Sequence, residues 1–563
     1  MALQRRMQTQ NEVYWQRDFV MTDDDTEALY AAMLDDGQPR SQPDMATLVM
    51  QRRYSNELDL LTRRFSQGEL YRPSGSYDEG QQLIFSALDY ELGTVMGTRR
   101  GSNPRYGEFT VLQVQLGTGR KLREFAADLH VPHKLNEVKD VGETQEELSP
   151  GRLYDLFGHW VQPRLEKALE QGGEFVSFRG QWFLREMLPE LHIGHLNIAE
   201  ALIDESRAPM TTTEILKELD FPSGTTPEAC RFALNRALSL DERFDDVSTS
   251  GDPLWYLLSL EPLAITHMPS RLRPAYEARQ GMLLHRESLD LAEEIGDEWD
   301  QVEGAIVGAA KPVDSSTFFL TYPHRREGTM PVNWKTATLL PLSQNPRLRV
   351  TLVDRRNREE LPVWVAPRQR YATGLGEWYR KHSIPVGALI ELHRTDDPFT
   401  IEISYLTQRR KGEWVRSLRA NDGALGFEIQ KRAYVCRYDK QILLDDGQDT
   451  IMDQLWAETE KQAPPLIQVL REVFPELAKL NAQGMVHAKA LYSAVNVVRR
   501  CGTVPILAEL ARQACFDPVG DGNWVFDPSL EGQTYEGPEE IMARPDSKRT
   551  DFFKYQVFRY SGF

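Results

Sequence analysis

Several groupings of side chains in this 563-residue sequence have types and spacings that could support chemistry. Asp128, Glu137 and Lys139 offer two carboxylates and an ammonium. Such a set can hold a divalent cation and activate water when the Glu-x-Lys pair lies on a core strand. Pro132, His133 and Asn136 predict a loop there, so hydrolysis is not expected. His130 with His133, and His192 with His195, stand at metal-compatible spacings. Neither pair has cysteines or clustered carboxylates nearby, so no metal is expected, and His192 and His195 read as a helix entrance. The four cysteines, Cys230, Cys436, Cys501 and Cys515, include no C-x-x-C and suit a reducing compartment. The sequence contains no G-x-x-x-x-G-K, H-E-x-x-H, G-x-S-x-G or strand-borne G-x-G-x-x-G. The expectation is a chain with no active site and no cofactor.

The remaining chemistry is recognition. Residues 321–420 hold 18 Lys/Arg and 10 Asp/Glu, a balance of +8 in a chain of net charge −18, which leaves −26 for the rest. Such a localised basic segment is an electrostatic footprint for nucleic acid. Arg347, Arg349, Arg355, Arg356 and Arg358 gather around one strand and its turn. Arg368 and Arg370 follow the next strand, which contains Trp364, and Arg409, Arg410, Lys411, Arg416 and Arg419 follow another. The planar arginine fork suits phosphate and guanine better than lysine does. The competing reading is ordinary surface charge paired with Glu359, Glu360 and Glu413. A second set, Arg231, Asn235 and Ser239 with Arg236 beside them, falls on one face of a presumed recognition helix. Arg and Asn read guanine and adenine edges. Residues 191–262 hold 5 Lys/Arg and 13 Asp/Glu, however, a balance of −8 that favours a solvated face on a protein-binding module.

These side chains need elements to position them. Apolar residues recur every three to four positions in 23–34 and 45–65, which predicts helices. Residues 83–85, 93–97 and 109–116 read as short strands with a turn at 101–107, for which a small β-barrel, SH3-like by strand length, is the expected closure. Leu348, Val350 and Leu352 alternate with Arg347, Arg349 and Thr351, and Phe399, Ile401, Ile403 and Tyr405 with Thr400, Glu402 and Ser404, the period of a half-buried sheet.

One pattern occurs twice. A helix over 227–239 is followed by Phe244-Asp245-Asp246-Val247, a turn at Gly251-Asp252, and Trp255. A helix over 505–514 is followed by Phe516-Asp517-Pro518-Val519, a turn at Gly520-Asp521-Gly522, and Trp524. A helix and a short extended step precede each: 198–207 then Pro209-Met210, and 490–500 then Thr503-Val504. Helix, short strand, helix and hairpin is the order of a winged helix. In the first copy, Ala199-Glu200-Ala201-Leu202, Pro209-Met210-Thr211-Thr212-Thr213-Glu214-Ile215 and Asp241-Glu242-Arg243-Phe244 resemble the HARE-type winged helix of the RNA polymerase delta subunit and some restriction enzymes. That resemblance implies a role near DNA or RNA polymerase and no chemistry. Gly376-Glu377-Trp378-Tyr379-Arg380-Lys381, Ile384-Pro385-Val386-Gly387 and Leu389-Ile390-Glu391-Leu392 resemble the latter half of the B3-type pseudobarrel DNA-binding domain, with Ala388 where that family usually has an acidic residue.

The expected architecture is α+β and multi-domain. It comprises a helical segment (1–70), a small β-barrel (71–140), a helical connector (141–190) and a winged helix (191–262). An acidic helical connector (263–310), a basic pseudobarrel (311–440), a second winged-helix-like domain (446–530) and a tail (531–563) follow. The chain contains 41% hydrophobic and 27% charged residues and no apolar run of membrane-spanning length. No apolar core follows Arg5 and Arg6, so no secretory signal is expected and the cytoplasm is the expected location. Duplex DNA is the expected partner, with RNA polymerase or another protein as a further one; no membrane or small-molecule partner is inferred. A protein-interaction scaffold and the recognition part of a restriction or defence nuclease are the alternative functions.

Overall fold

A computed structural model describes residues 7–88, 91–117, 122–132, 135–136, 148–278, 281–300, 313–343, 345–395, 400–421, 424–441, 449–535 and 555–557. The chain is α+β and divides into two units: Met1–His195 with Glu218–Ala237, and Leu196–Lys217 with Leu238–Phe563. Among the described residues, no helix is long and apolar enough to cross a membrane.

In the first unit, helix α1 (Asp23–Asp36) begins in a capping box, with the Asp25 carboxylate accepting from the Thr22 amide at 3.0 Å. Three aspartates in its first turn complement the helix dipole, and Gly37 at φ +64° ends it. Helices α2 (Gln42–Phe65) and α3 (Pro150–Gly172) bury Met45, Val49, Leu153, Val161 and Leu165 with Leu29 and Trp15 in one core. A five-stranded sheet has the order β1 (Glu69–Leu70), β2 (Gln82–Phe85), β3 (Glu91–Asn103), β4 (Gly107–Leu116), β5 (Leu122–Ala127). Only β1 and β2 run parallel. Where a closed barrel is expected, no ladder joins β1 to β5 among the described residues. The gap is bridged by the Tyr71 hydroxyl, which donates to the Ala126 carbonyl at 2.5 Å, and by the Asp128 and Leu129 amides, which donate to Gly75 and Pro73.

The region expected to be a helical connector also holds a hairpin, β6 (Phe175–Phe178) and β7 (Gln181–Leu184). Arg179 and Gly180, at φ +50° and +72°, form its two-residue turn. Positive φ at both central positions matches the right-handed twist of the flanking strands.

Two helix–hairpin modules share one topology. The first runs α4 (Ile193–Ser206), β8 (Met210–Thr211), α5 (Thr212–Leu216), α6 (Pro227–Leu240), β9 (Phe244–Asp246), β10 (Leu254–Leu257), with sheet order β9-β10-β8. Thr211 and Glu214 cap α5 reciprocally, which explains the Thr-rich run before it.

The second unit continues with helix α7 (Arg286–Ile295) and then a seven-stranded sheet. Its strands, in spatial order, are β11 (Ser315–Phe319), β16 (Leu389–Arg394), β17 (Thr400–Tyr405), β13 (Leu348–Asp354), β14 (Glu360–Ala366), β15 (Tyr371–Thr373) and β12 (Thr329–Pro331). Only β13 and β17 pair in parallel. Leu348, Val350, Leu352, Ile401 and Ile403 are buried, as their alternation predicts, with Trp378 of helix α9 (Gly376–Lys381) in the same core. Helix α8 (Tyr322–Glu327) lies between β11 and β12 in the chain. Strands β18 (Thr407–Asn421) and β19 (Ala424–Cys436) form a separate two-stranded ribbon.

Helix α10 (Asp449–Gln462) precedes the second helix–hairpin module. That module runs α11 (Leu466–Ala478), β20 (Val486–His487), α12 (Ala488–Val498), α13 (Thr503–Arg512), β21 (Phe516–Gly520), β22 (Asn523–Phe526), in sheet order β20-β22-β21. Its short strand is therefore Val486–His487, not Thr503-Val504, which starts α13. The two hairpins place their tryptophans alike: Trp255 pairs with Met210 and Trp524 with Val486.

Candidate nucleic-acid interface

Strand β13 is crossed in seven residues at about 3.3 Å each, so the ends of the arginine-rich run 347–358 stand roughly 20 Å apart. They have different surroundings. At the strand's beginning, the Arg347 Nε donates to Asp245 at 2.6 Å and lies 2.9 Å from Glu261. The Arg349 amide donates to the Val247 carbonyl, Asn345 bonds Ser248, and Trp364 packs 5.5 Å from Tyr256. This end of the sheet thus grips the hairpin of the first module. Arg368 is exposed on the turn Pro367–Gln369. Arg370 is buried, lies over the Trp299 ring and donates to the Glu298 carbonyl at 2.7 Å. Arg347 and Arg370 are structural, a correction to their reading as phosphate contacts: both guanidiniums are committed to groups within the fold.

The Arg347 lock contains a titrating group. Burial, together with the hydrogen bond and charge of Asp245, pushes the Glu261 carboxyl from 4.5 up to about 8 against the pull of Arg347. The folded chain then keeps a proton there that the unfolded chain releases above about pH 4.5. Stability from this group is full below that pH and is lost as the pH rises to about 8. Denaturant unfolding across this window should show a steeper loss in the wild type than in Glu261→Gln. Equal slopes would mean that the carboxyl is ionised throughout.

The opposite end of β13 carries the exposed arginines. Asp354 is fully buried; its carboxylate accepts from the Arg356 amide and from Trp378 Nε1, each at 2.8 Å. The Asp354 amide donates to the Glu359 carbonyl, and the Arg358 amide to the Asp354 carbonyl, both at 2.8 Å. Arg358 takes φ +60° to close the turn. One buried carboxylate and the helix α9 tryptophan thus fix a turn from which Arg355, Arg356 and Arg358 project, all exposed. The Arg356 guanidinium stacks 3.8 Å over the Tyr405 ring, while Arg355 lies 3.5 Å from Glu402 and Arg358 pairs with the same carboxylate. Arg380 and Lys381, exposed at the end of α9, extend the basic end, and Lys381 bonds Glu359. Exposed ion pairs of this kind contribute about 0–1 kcal/mol and exchange readily for phosphate. Sequence reading does not single out Asp354; its signal is a lone acid that follows the apolar pair Leu352-Val353 at the end of an alternating strand.

Asp354, Glu359 and His382 bring ligand atoms within 4.8 Å of one another, a set that could share a cation. Trp378 donates to Asp354 and Lys381 to Glu359, while the buried His382 Nε2, 3.1 Å from Asp354, makes no hydrogen bond among the described residues.

The other predicted residues are dispersed. Arg409 is exposed at the start of β18; Arg410 and Lys411 lie on the same strand, with side chains outside the described residues. Arg416 donates to the Lys440 carbonyl and to Gln441, and Arg419 pairs with Glu428. On α6, Arg231 is exposed and Arg236 half-buried, but Asn235 is buried and cannot present its amide to a base, which corrects the single-face reading. Asp128 accepts from Ser76 and Thr110, bonds that hold its carboxyl below the ordinary range. Glu137, Lys139 and His133 lie outside the described residues. The His192 and His195 rings lie 4.0 Å apart, tilted by 35°, at the entrance to α4, where their ring nitrogens accept backbone amides.

Comparison with protein-family models, with curated proteins and with solved structures finds no match for this chain.

Proposed function

We propose that this chain is a non-catalytic, duplex-DNA-binding protein that grips the phosphate backbone through the arginine turn ending β13. The observation that carries this reading is the turn itself: three exposed arginines on a loop preorganised by buried Asp354 and Trp378. Preorganisation lowers the ordering cost that long cationic side chains otherwise incur on binding. In this reading the seven-stranded sheet acts as a pseudobarrel of the B3 type. The helix–hairpin modules act as winged helices that support it, and the acidic first module is left to a protein partner such as RNA polymerase.

The test is a DNA titration of the full chain at several salt concentrations. Each phosphate contact should contribute about 0.9 to the slope of log affinity against log salt. Replacing Arg355, Arg356 and Arg358 together by serine should lower the slope by roughly three contacts' worth and weaken every duplex sequence alike. A flat salt response in the wild type would sink the proposal and favour the interaction-scaffold reading.

A further inference from the structure

The β18–β19 ribbon leaves the sheet two residues after Tyr405, at the same end as the arginine turn. It is held at both ends. At its base, Cys436 is buried in the sheet core with Tyr434 packed against it, and at its far end Leu418, Leu425 and Phe427 join the core of the second helix–hairpin module. Between these anchors no third strand pairs with it among the described residues. Its two strands carry seven Lys/Arg and two Asp/Glu.

In the middle of this span stands Trp414, with 70% of its surface exposed, while its neighbour Val415 is 5% exposed. Side chains alternate between faces along a strand, so at this point Trp414 stands on the open side and Val415 on the covered one; farther along, Leu418 on the tryptophan's side is covered where the ribbon meets the second module. Trp414 lies directly opposite exposed Lys431, and the next pair along the same face is Gly412 with Ala433. Those small neighbours leave the indole face open beside a cation. Exposed Ile429 and Val435 lie on the same face. A protein-facing apolar patch would be depleted in charge at its centre; here Lys431 stands opposite the tryptophan and Arg416 follows on the same face, while exposed Arg419 and Arg432 lie on the ribbon's other face. An open aromatic face on a cationic track is the arrangement that holds unpaired nucleotides, with bases stacked on the ring and phosphates on the cations.

We infer that this ribbon binds single-stranded DNA continuing from the duplex held at the arginine turn, with Trp414 as the stacking platform. The inference rests on the DNA-binding reading above and adds to it a preference for a duplex–single-strand junction.

The experiment compares a blunt duplex with the same duplex bearing a single-stranded extension, using the full chain and labelled-DNA anisotropy. The wild type should bind the extended duplex about tenfold or more tightly than the blunt one. Trp414→Ala, at a site exposed enough to leave folding intact, should reduce the extended duplex to the blunt level, and Trp414→Phe should keep most of the preference. The triple serine variant of Arg355, Arg356 and Arg358 should weaken both DNAs while preserving their ratio. Equal wild-type affinities, or a preference that survives Trp414→Ala, would overturn the ribbon inference and leave the arginine-turn reading standing. A Trp414-dependent preference with no effect of the triple variant would overturn the arginine turn instead. Binding to neither DNA would overturn both.

Discussion

Replacement of Arg500 by alanine should cost about 3–5 kcal/mol of stability. Its guanidinium is 1% exposed and bonds Glu298 at 2.7 Å, Asp297 and the Asn496 side chain at 2.8 Å, and the Cys501 carbonyl at 2.8 Å. Tyr492 adds a 2.6 Å hydrogen bond to Asp297, and His324 bridges Glu298 to Thr329. Burial works against the charged form of Glu298, but Arg500 and His324 outweigh it and hold that carboxyl well below its usual range. Burial and the Glu298 charge push Asp297 the other way, and Arg500 is the cation that the two carboxylates share. Its removal strands two carboxylates in the interior, which accounts for the size of the loss. Arg500→Met combined with Asp297→Asn and Glu298→Gln should recover much of it, because neutral groups need no buried counter-charge. Urea unfolding of the full chain measures both variants. A shift below about 1 kcal/mol in Arg500→Ala would show that the network is dispensable.

Trp255→Ala and Trp524→Ala should each cost roughly 3–5 kcal/mol, the usual loss for a large aromatic removed from a core. Trp255 is 1% exposed and Trp524 3% exposed, each on the return strand of its hairpin beside the short strand that precedes the helices. Trp255 also donates from Nε1 to Thr212 Oγ1 at 3.1 Å, a buried bond that alanine leaves without its donor. Thermal unfolding of the full chain should show an earlier transition for each variant. An unmoved transition would mean that the corresponding hairpin does not pack through its tryptophan.

The repeat was legible because its signals are local: a Gly-Asp turn, a tryptophan after it and a helix before it. Its second short strand was misplaced because Val486–His487 lies ahead of a helix that is buried along its whole length, which leaves no amphipathic edge to mark where it begins. The Phe175–Leu184 hairpin was overlooked because its strands are only four residues each and its turn is Arg-Gly rather than Asn-Gly. The arginines were legible as a composition and not as a surface. Arg347 and Arg356 are nine positions apart on a chain that crosses the sheet between them, and nothing local says that one meets Asp245 while the other meets Tyr405. Asn235 shows the same limit: helical spacing places it near Arg231 but does not say which flank is covered.

The Arg500 network also determines where the polypeptide can be dissected. Its members come from the segment after α7, from the sheet's helix α8, and from α12 and the residue pair that follows it. A fragment ending at residue 440 keeps His324 and Glu298 but loses Arg500, and it bares Leu418 and Phe427, whose apolar cover comes from the helices beyond. A cut at residue 440 therefore leaves Glu298 without Arg500 and opens the core that the ribbon shares with the second module.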